Sequence, residues 1–255
     1  MMSVAPVSEK KNLPLEGLVP ISLKEMDSVS LMNRTDTKFL LSIEQLNDIL
    51  PLLAKSYRIL EIEGNRSNRY QTLYYDTSDF FHYLQHQNGK RHRYKIRQRE
   101  YMESGLSFIE VKEKSNKGRT DKSRIKTNDI IPELNENARE FIASKSLSNQ
   151  LLEPKLWNYF SRITLVSLER KERVTLDTGI GFYFGEQQLD LKNLVIAEVK
   201  QDGNSRHSPF MVEMKKRIIR PEGVSKYCLG VALMFPHVKS NNFKEKILRV
   251  LKITS

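Results

Sequence analysis

Hydrophobic residues make up 39% of this 255-residue chain and charged residues 29%, which is enough apolar surface for a sizeable core in a protein that stays in solution. The chain carries 42 Lys and Arg against 31 Asp and Glu, a net charge of +11, so the expected partner is anionic: phosphates, nucleic acid or a membrane surface. The single cysteine, Cys228, excludes an intramolecular disulfide, and no run approaches the roughly 18 apolar residues of a membrane span. We therefore expect a soluble, cytoplasmic protein.

The first half of the chain is predicted to be mostly strands. Residues 1–20 lack periodicity and predict a partly ordered lead-in, followed by one domain over 21–255. After a strand at 34–41, Ser42 and Gln45 have the spacing of a capping box and predict a helix of about ten residues. Further strands are predicted at 67–76, 91–101, 107–114 and 122–126.

The second half is predicted to mix helices and strands. Residues 133–157 predict a helical excursion, and Pro209 lies at the start of a helix near 207–219. Strands are predicted at 159–169, 172–184 and 194–200, and a final amphipathic helix at 241–252.

The most informative stretch is residues 94–101, where Lys95, Arg97 and Arg99 recur at every second position. Strand side chains alternate between two faces, so these three cations share one face. On an isolated surface strand that arrangement is self-repulsive, and it becomes favourable where a polyanion lies along the face. The alternative for any one strand is an ordinary solvated face of an antiparallel sheet, where charge outside is routine.

Other strands repeat this alternation of charged and apolar faces. The face-matched charged positions are Asp36, Lys38, Lys95, Arg97, Arg99, Glu110, Lys112, Arg124, Arg162, Arg173, Asp177 and Glu198. Because so many strands share the pattern with few balancing acids, it is not well explained by ordinary solvated faces of a sheet. Strands of this kind closing on one another predict an α+β fold, an antiparallel β-barrel tunnel of about eight strands with a charged lumen and helices packed outside.

The acids among these cations allow two interpretations. They can neutralise neighbouring cations, or one or two of them can hold Mn²⁺ or Mg²⁺ together with substrate phosphates. Glu198, which lies opposite a strongly apolar strand face, is the best candidate for a metal ligand.

Other kinds of site find little support. The chain has no Walker loop and no Gly-x-Gly-x-x-Gly, and its five histidines lack zinc spacing, so we expect them at the surface. Binding of single-stranded nucleic acid calls for aromatic side chains among the cations. Tyr94 and Tyr101 are the candidates, but Tyr94 has the opposite parity to Arg97 and is predicted to face outward, so nucleic acid is not the expected partner.

Short charged and aromatic segments also follow one another in a particular order. They are Arg34–Phe39, Leu73–Thr77, Arg97–Tyr101, Glu110–Lys112, Lys122–Arg124, Tyr159–Arg162, Arg173–Asp177, Ala197–Lys200 and Val224–Tyr227. No single segment is specific, but their order and joint presence over residues 28–236 resemble the VTC domain of polyphosphate polymerases, within the CYTH-like triphosphate tunnel superfamily.

The resemblance implies a metal-dependent phosphotransferase that moves the terminal phosphoryl group of ATP to a growing polyphosphate chain. It implies ATP and polyphosphate as partners and Glu198 as the ligand of Mn²⁺ or Mg²⁺. The implied catalytic residues are Lys226, Arg97 and Arg99, and the implied phosphate-binding residues are Lys38, Lys95, Lys112, Arg124, Arg162, Arg173, Tyr159 and Ser225. Which of Lys122, Arg124 and Lys126 faces the lumen stays open.

Two departures from the family pattern bear on this expectation. Arg34 and Asp36 stand where the wider CYTH class carries two glutamates, which favours the VTC branch over triphosphatases and class IV adenylyl cyclases. Gly223 stands where some members carry a basic residue, so that contact with substrate can be missing. The alternatives are a metal-dependent triphosphatase of the same tunnel fold and a non-catalytic module that binds polyphosphate or nucleotide.

Overall fold

The structure, a computed structural model, describes residues 13–27, 34–116, 120–147, 150–203 and 207–255. The strands in these ranges are β1 (Val19–Ile21), β2 (Arg34–Ser42), β3 (Arg58–Leu60), β4 (Asn68–Asp76), β5 (Arg93–Tyr101), β6 (Leu106–Lys114), β7 (Thr120–Thr127), β8 (Glu153–Ser167), β9 (Glu172–Phe184), β10 (Gln187–Leu191) and β11 (Leu194–Asp202). The helices are α1 (Leu23–Asp27), α2 (Ile43–Leu53), α3 (Phe81–Gln87), α4 (Glu136–Ile142), α5 (Pro209–Lys216), α6 (Lys226–Met234) and α7 (Lys244–Thr254). A π-helical turn at Ala143–Leu147 follows α4, and a 3₁₀ turn at Asn241–Phe243 precedes α7. None of these helices combines the length and apolar character needed to cross a bilayer.

All the strands belong to one sheet, whose main path runs β2-β11-β9-β8-β4-β5-β6-β7 with antiparallel neighbours. Within the described residues no hydrogen-bonded ladder joins β2 to β7. The sheet nevertheless curls over a lumen. The charge of Lys38 on β2 helps to lower the pKa of Lys112 on β6, which indicates that these two distant strands face each other. The predicted antiparallel tunnel fold with a charged interior is confirmed, although no ladder among the described strands closes the sheet.

The outer face of the curled sheet is apolar and covered by helices. Phe39 on β2 and Val199 on β11 pack in one buried cluster with Leu46 and Leu50 of α2 and with Phe210 of α5. A second outer cluster joins β4, β5 and β6 to α4. These two apolar clusters lie outside the sheet, and the alternating charged residues lie inside, as the alternation predicted.

The predicted capping box at the start of α2 is present. The Ser42 hydroxyl accepts a hydrogen bond from the backbone N–H of Gln45 at 3.2 Å, and the Gln45 side chain accepts one from the backbone N–H of Ser42 at 2.9 Å. This pair satisfies two of the N–H groups that the first turn of a helix leaves unpaired. The helix therefore begins directly at the end of β2.

One helix, α6, packs against lumen-facing residues at one end of the tunnel. Its apolar side chains form a buried cluster with Tyr74, Phe160 and Phe182 of the sheet. Gly230 lets the helix approach this closely, since a Cβ there would lie 2.4 Å from Leu156 Cδ2 and 2.6 Å from a ring carbon of Phe182. This packing fixes the N-terminus of α6 at the lumen.

The prediction for residues 133–157 is wrong over its last part. The helix ends at Ile142 and the π-helical turn at Leu147, and β8 begins at Glu153 rather than at Tyr159. Leu156 pairs with Tyr74 of β4, so a partner far away in the sequence decides that this segment is a strand.

Three short strands were not predicted. β1 pairs in parallel with β3, and β10 forms a hairpin with β9. These strands have three to five residues, too few for an alternation to be recognised. Of the predicted lead-in, residues 1–12 lie outside the described ranges.

The close approach at Gly230 makes a prediction about stability. We expect Gly230→Ala to lower the free energy of unfolding by about 1–2 kcal/mol, because overpacking outweighs the better helix propensity of alanine. Urea denaturation measures the change. Gly223→Ala is the matched control, since a Cβ at Gly223 meets nothing within 4 Å. Equal stability of the two variants would contradict the close contact described here.

Candidate active site

Three cations of β5 line one wall of the lumen. Lys95, Arg97 and Arg99 share the inner face, while Ile96 between them packs into the outer core and is 1% exposed. This is the arrangement that the alternating sequence predicted. The neighbouring strand β6 adds Glu110, directly opposite Arg97.

Glu110 binds cations from both neighbouring strands. Its carboxylate accepts from the guanidinium of Arg97 at 2.6 Å and pairs through the other oxygen with Lys122 of β7. Burial alone would raise the pKa of Glu110, but the charges of Arg97, Arg99 and Lys122 lower it to about 2. Glu110 therefore stays ionised and holds β5, β6 and β7 together inside the lumen.

Asp177 on β9 likewise binds two cations, on the opposite wall of the lumen. It binds Arg162 of β8 through two bonds, Nε to Oδ1 at 2.6 Å and Nη2 to Oδ2 at 2.8 Å, and it also accepts from Lys226 of α6. These two cations hold the pKa of Asp177 well below its usual range, although burial acts against them. The ammonium of Lys226 lies 4.1 Å from the ring centroid of Phe160, and burial lowers the pKa of Lys226 to about 7.

A third carboxylate, Glu198 on β11, lies between two lysines. Its Oε1 is 3.5 Å from Lys38 Nζ on β2, and its Oε2 contacts Lys200 on its own strand. The same Lys38 donates to the backbone carbonyl of Val224 at 3.2 Å, which ties β2 to the segment preceding α6. The two lysines keep the pKa of Glu198 well below its usual range against the effect of burial.

Other lumen cations have no carboxylate partner in the part of the chain that the structure describes. Among the described residues, Lys95, Arg99 and Lys112 form no ion pair within 4.0 Å. Arg99 is 6% exposed, donates to Thr72 Oγ1 at 3.3 Å and lies over the ring of Tyr70. Burial, with nearby cations, lowers the pKa of Arg99 to about 10, of Lys95 to about 7 and of Lys112 to about 8. Arg99 is buried and Lys95 half-buried without a counter-charge, and Lys112 lies exposed beside them, so these cations are the part of the site that an anionic ligand stabilises.

The structure answers the question left open for β7. Lys122, Arg124 and Lys126 all lie on one face, and each is paired in register with a lumen-facing residue of β6. Lys122 is the one that contacts Glu110, while Arg124 lies 4.5 Å from the ring centroid of Phe108.

The remaining predicted residues lie in different surroundings. Arg173 of β9 is directly opposite Lys200 near the Glu198 cluster. Ser225 caps α6, since its hydroxyl accepts from the backbone N–H of Cys228 at 3.4 Å. Tyr159 lies on the outer face, where its hydroxyl donates to Asp190 and its ring covers Gly181. It is three residues from Arg162, and that odd separation in one strand already places the two on opposite faces.

Sequence reasoning missed the aromatic part of the lumen. Tyr70 and Phe160 stack with ring centroids 5.0 Å apart, and Arg99, Arg162 and Lys226 all lie against this pair. Phe160 is two residues before Arg162, so its parity was the available signal.

The expectation that the histidines lie at the surface is wrong for His82. This residue is 1% exposed, because α3 packs beneath the sheet and the backbone N–H of His82 donates to the buried Asp76 at 2.8 Å. Burial lowers the pKa of His82, so it is a neutral core residue.

An antiparallel sheet curled around paired and unpaired cations defines a class of tunnel proteins with a basic interior. The family model of the VTC domain matches residues 33–235, and the chain therefore belongs to the VTC domain family. The resemblance inferred from the sequence motifs is confirmed.

Solved structures with a similar fold include a proposed adenylate cyclase from Bacillus halodurans, at 17% identity and a TM-score of 0.47, covering 80% of this chain and 100% of that one. Another is a proposed adenylyl cyclase from Hippeastrum with a dominant triphosphatase activity, at 11% identity and a TM-score of 0.43, covering 78% of this chain and 96% of that one. No curated protein sequence gives a significant match.

The lowered pKa values of the lumen lysines predict that anion binding takes up protons. The pKa values of Lys95 and Lys226 are about 7 and that of Lys112 is about 8. We expect bound triphosphate to raise all three, so at pH 8 protons are taken up with the ligand and the affinity falls as pH rises. The fall should reach about tenfold per pH unit for each proton taken up.

Calorimetry of inorganic triphosphate binding at pH 8, in two buffers of different ionisation enthalpy, measures this uptake. Lys95→Arg is the control, since a residue charged at every pH should remove its share of the uptake. Identical heats in both buffers for the unmodified protein would refute the coupling.

Glu110 makes a separate prediction about stability. We expect Glu110→Gln to lower the free energy of unfolding by about 3 kcal/mol, at the low end for a broken buried pair because Lys122 is partly exposed. Triphosphate should then raise the melting temperature more in this variant than in the unmodified protein, since the anion replaces the lost charge.

Glu113→Gln is the matched control, on the same strand but on the opposite face, where Glu113 meets His92 at the surface. Thermal unfolding with and without triphosphate compares the variants. If Glu110→Gln is as stable as Glu113→Gln, the bridging role of Glu110 is wrong.

Proposed function

We propose that this protein is an ATP-dependent polyphosphate polymerase that works in the basic lumen. The observation that carries the proposal is that several lumen cations, Lys95, Arg99 and Lys112 among them, form no ion pair with a carboxylate of the described residues. Burial, with repulsion from neighbouring cations, lowers their pKa values, so a negative charge brought close to them is favourable. A linear phosphate chain supplies that charge at regular intervals along the lumen, and membership of the VTC domain family supports the same ligand class.

In this proposal each cation has a role that depends on its position in the lumen. Arg97 and Arg162 are held by Glu110 and Asp177, so their guanidinium groups are oriented before the phosphates arrive. Lys38, Lys95, Lys112, Arg124 and Arg173 bind phosphate oxygens along the walls. Lys226 leaves Asp177 for the phosphoryl group in transit and stabilises its charge. The bond from the γ-phosphorus to the β–γ bridging oxygen breaks, a terminal oxygen of the chain bonds to that phosphorus, and ADP leaves.

Glu198 is the proposed ligand for Mn²⁺ or Mg²⁺. The donor set fits an ion that arrives with its substrate: within the described residues no cluster of three metal-binding side chains exists, and Asp36 is the other acid on this wall, opposite Lys200. Magnesium and manganese are commonly held by one or two carboxylates together with phosphate oxygens. When bound, the ion would neutralise charge on the transferring phosphates. Lys38 and Lys200 would then turn from Glu198 to the phosphates.

The ionised state of the lumen acids favours phosphoryl transfer to a phosphate acceptor over hydrolysis by water. Activating water needs a general base whose pKa lies near the working pH. The pKa of Glu110 is about 2, and those of Asp177 and Glu198 are held well below their usual range, so all three are weak bases. The terminal oxygen of a polyphosphate chain is already ionised and needs no such base. Triphosphate hydrolysis in the same lumen is the second candidate.

The test is incubation of purified protein with ATP and Mn²⁺, with products resolved on a gel stained for polyphosphate. We expect a ladder of long chains, and we expect Lys226→Ala or Arg97→Ala to lower the rate at least about 10²-fold, as for loss of one charge-stabilising donor. Lys252→Ala is the control, because Lys252 is exposed on α7. Circular dichroism checks that each variant is folded.

Other outcomes of this experiment would support one of the two alternative functions. Orthophosphate without long chains would indicate a triphosphatase. Binding of ATP or polyphosphate that weakens with salt, without turnover, would indicate a non-catalytic binding module. Full activity in both Lys226→Ala and Arg97→Ala would show that the reaction does not take place in the lumen.

A further inference from the structure

The stacked pair of Tyr70 and Phe160 lies inside the lumen, on neighbouring strands. Tyr70 on β4 is directly opposite Phe160 on β8, and the planes of their rings differ by 3° at a centroid separation of 5.0 Å. Phe160 is 2% exposed and packs in the buried cluster that α6 forms with the sheet, so its ring is held firmly in place. The pair is therefore a fixed aromatic surface in the wall of the lumen.

Three cations lie on this aromatic surface. The guanidinium carbon of Arg162 is 5.1 Å from the ring centroid of Tyr70 and 5.3 Å from that of Phe160, and the corresponding distances for Arg99 are 5.4 Å and 5.6 Å. The ammonium of Lys226 is nearest, 4.1 Å from the centroid of Phe160. A cation over a ring at such distances is attracted by the negative charge of the ring face. The pair therefore stabilises the charge of all three.

These cations also repel one another. Burial lowers the pKa of Lys226 to about 7, and the charges of Arg162 and Arg99 act in the same direction. Arg162 and Lys226 share the carboxylate of Asp177, while Arg99 forms no ion pair with a carboxylate of the described residues. The aromatic pair thus supplies an attraction that holds together more positive charge than Asp177 can balance.

An aromatic face and a carboxylate leave different amounts of charge for a ligand. A carboxylate cancels the charge of the cation that it binds, whereas a ring is neutral and leaves that charge in place. In the proposed reaction Lys226 turns from Asp177 to a phosphate, and the ring of Phe160 then remains beside its ammonium. Because a lysine side chain has a flexible four-carbon stem, this contact limits where the ammonium can go.

We propose that Tyr70 and Phe160 are positioning residues, which hold Arg99, Arg162 and Lys226 around one point of the lumen and leave their charge available to phosphate. The inference rests on the proposed function for the identity of the ligand, and it adds two uncharged residues to the site. Their contribution comes from the negative face of each ring, and the hydroxyl of Tyr70 has no part in it.

The experiment replaces Phe160 site-specifically by mono-, di- and trifluorophenylalanine. Fluorine withdraws negative charge from the face of a ring and changes its shape little, so each fluorine weakens the attraction for a cation. We expect the affinity for inorganic triphosphate, measured by calorimetry, to fall with each fluorine and by about fivefold for the trifluoro ring, because Lys226 depends most on the ring when it has left Asp177. The same series at Phe210, which is fully buried in the outer cluster, should leave the affinity unchanged.

Variants of Tyr70 separate the ring from the hydroxyl. Tyr70→Leu removes a ring that two arginines lie over, and it should weaken triphosphate binding about tenfold. Tyr70→Phe is the conservative variant that keeps the ring, and it should retain the affinity to within about twofold. Thermal unfolding checks that every variant is folded.

Binding and turnover keep this inference separate from the proposed function. Equal affinities across the fluorinated series at Phe160, a similar loss in the series at Phe210, or equal losses in Tyr70→Phe and Tyr70→Leu would overturn the positioning role, even where long polyphosphate chains form. A graded loss of triphosphate affinity at Phe160 in a protein that forms no polyphosphate would support the positioning role and refute the polymerase.

Discussion

The structure depends on cations held inside a protein without enough acids to balance them. Charges of like sign repel more strongly in a partly dry lumen than in water, so an unbalanced set of buried cations opposes folding. Glu110, Asp177 and Glu198 reduce this cost, each by binding two cations. An anionic ligand would relieve the repulsion that remains at Lys95, Arg99 and Lys112, which links the stability of the protein to its affinity for anions.

The three acids also connect elements that are separate in the sequence. Glu110 joins β5, β6 and β7; Asp177 joins β8, β9 and α6; Glu198 joins β2 and β11. Each therefore orients its cations from a fixed point in the wall. This orientation is what the proposed phosphoryl transfer requires, since a protein contributes to that reaction mainly by positioning and charge stabilisation.

The position of Lys226 depends on a second set of buried polar contacts, at the end of the lumen that α6 occupies. The hydroxyl of Tyr227 donates to Asp76, which also accepts from the backbone N–H groups of His82 and Tyr83 at 2.8 Å each. Asp76 is fully buried, and these donors satisfy its carboxylate. The first turn of α6 is thus tied to α3 and β4, and Gly230 lets the rest of the helix pack closely.

The sequence by itself determined the local features of this protein. It predicted the shared face of Lys95, Arg97 and Arg99, the capping box at Ser42 and the antiparallel tunnel, because strand parity and helix capping depend on residues a few positions apart. The order of short motifs was enough to indicate the family. Only the tertiary structure decided which cation meets which acid, that β8 begins at Glu153, and that Tyr70 and Phe160 stack among the lumen cations. These features depend on strand register and on contacts such as that of Lys226 with Asp177, which are 49 residues apart, and no local pattern specifies them.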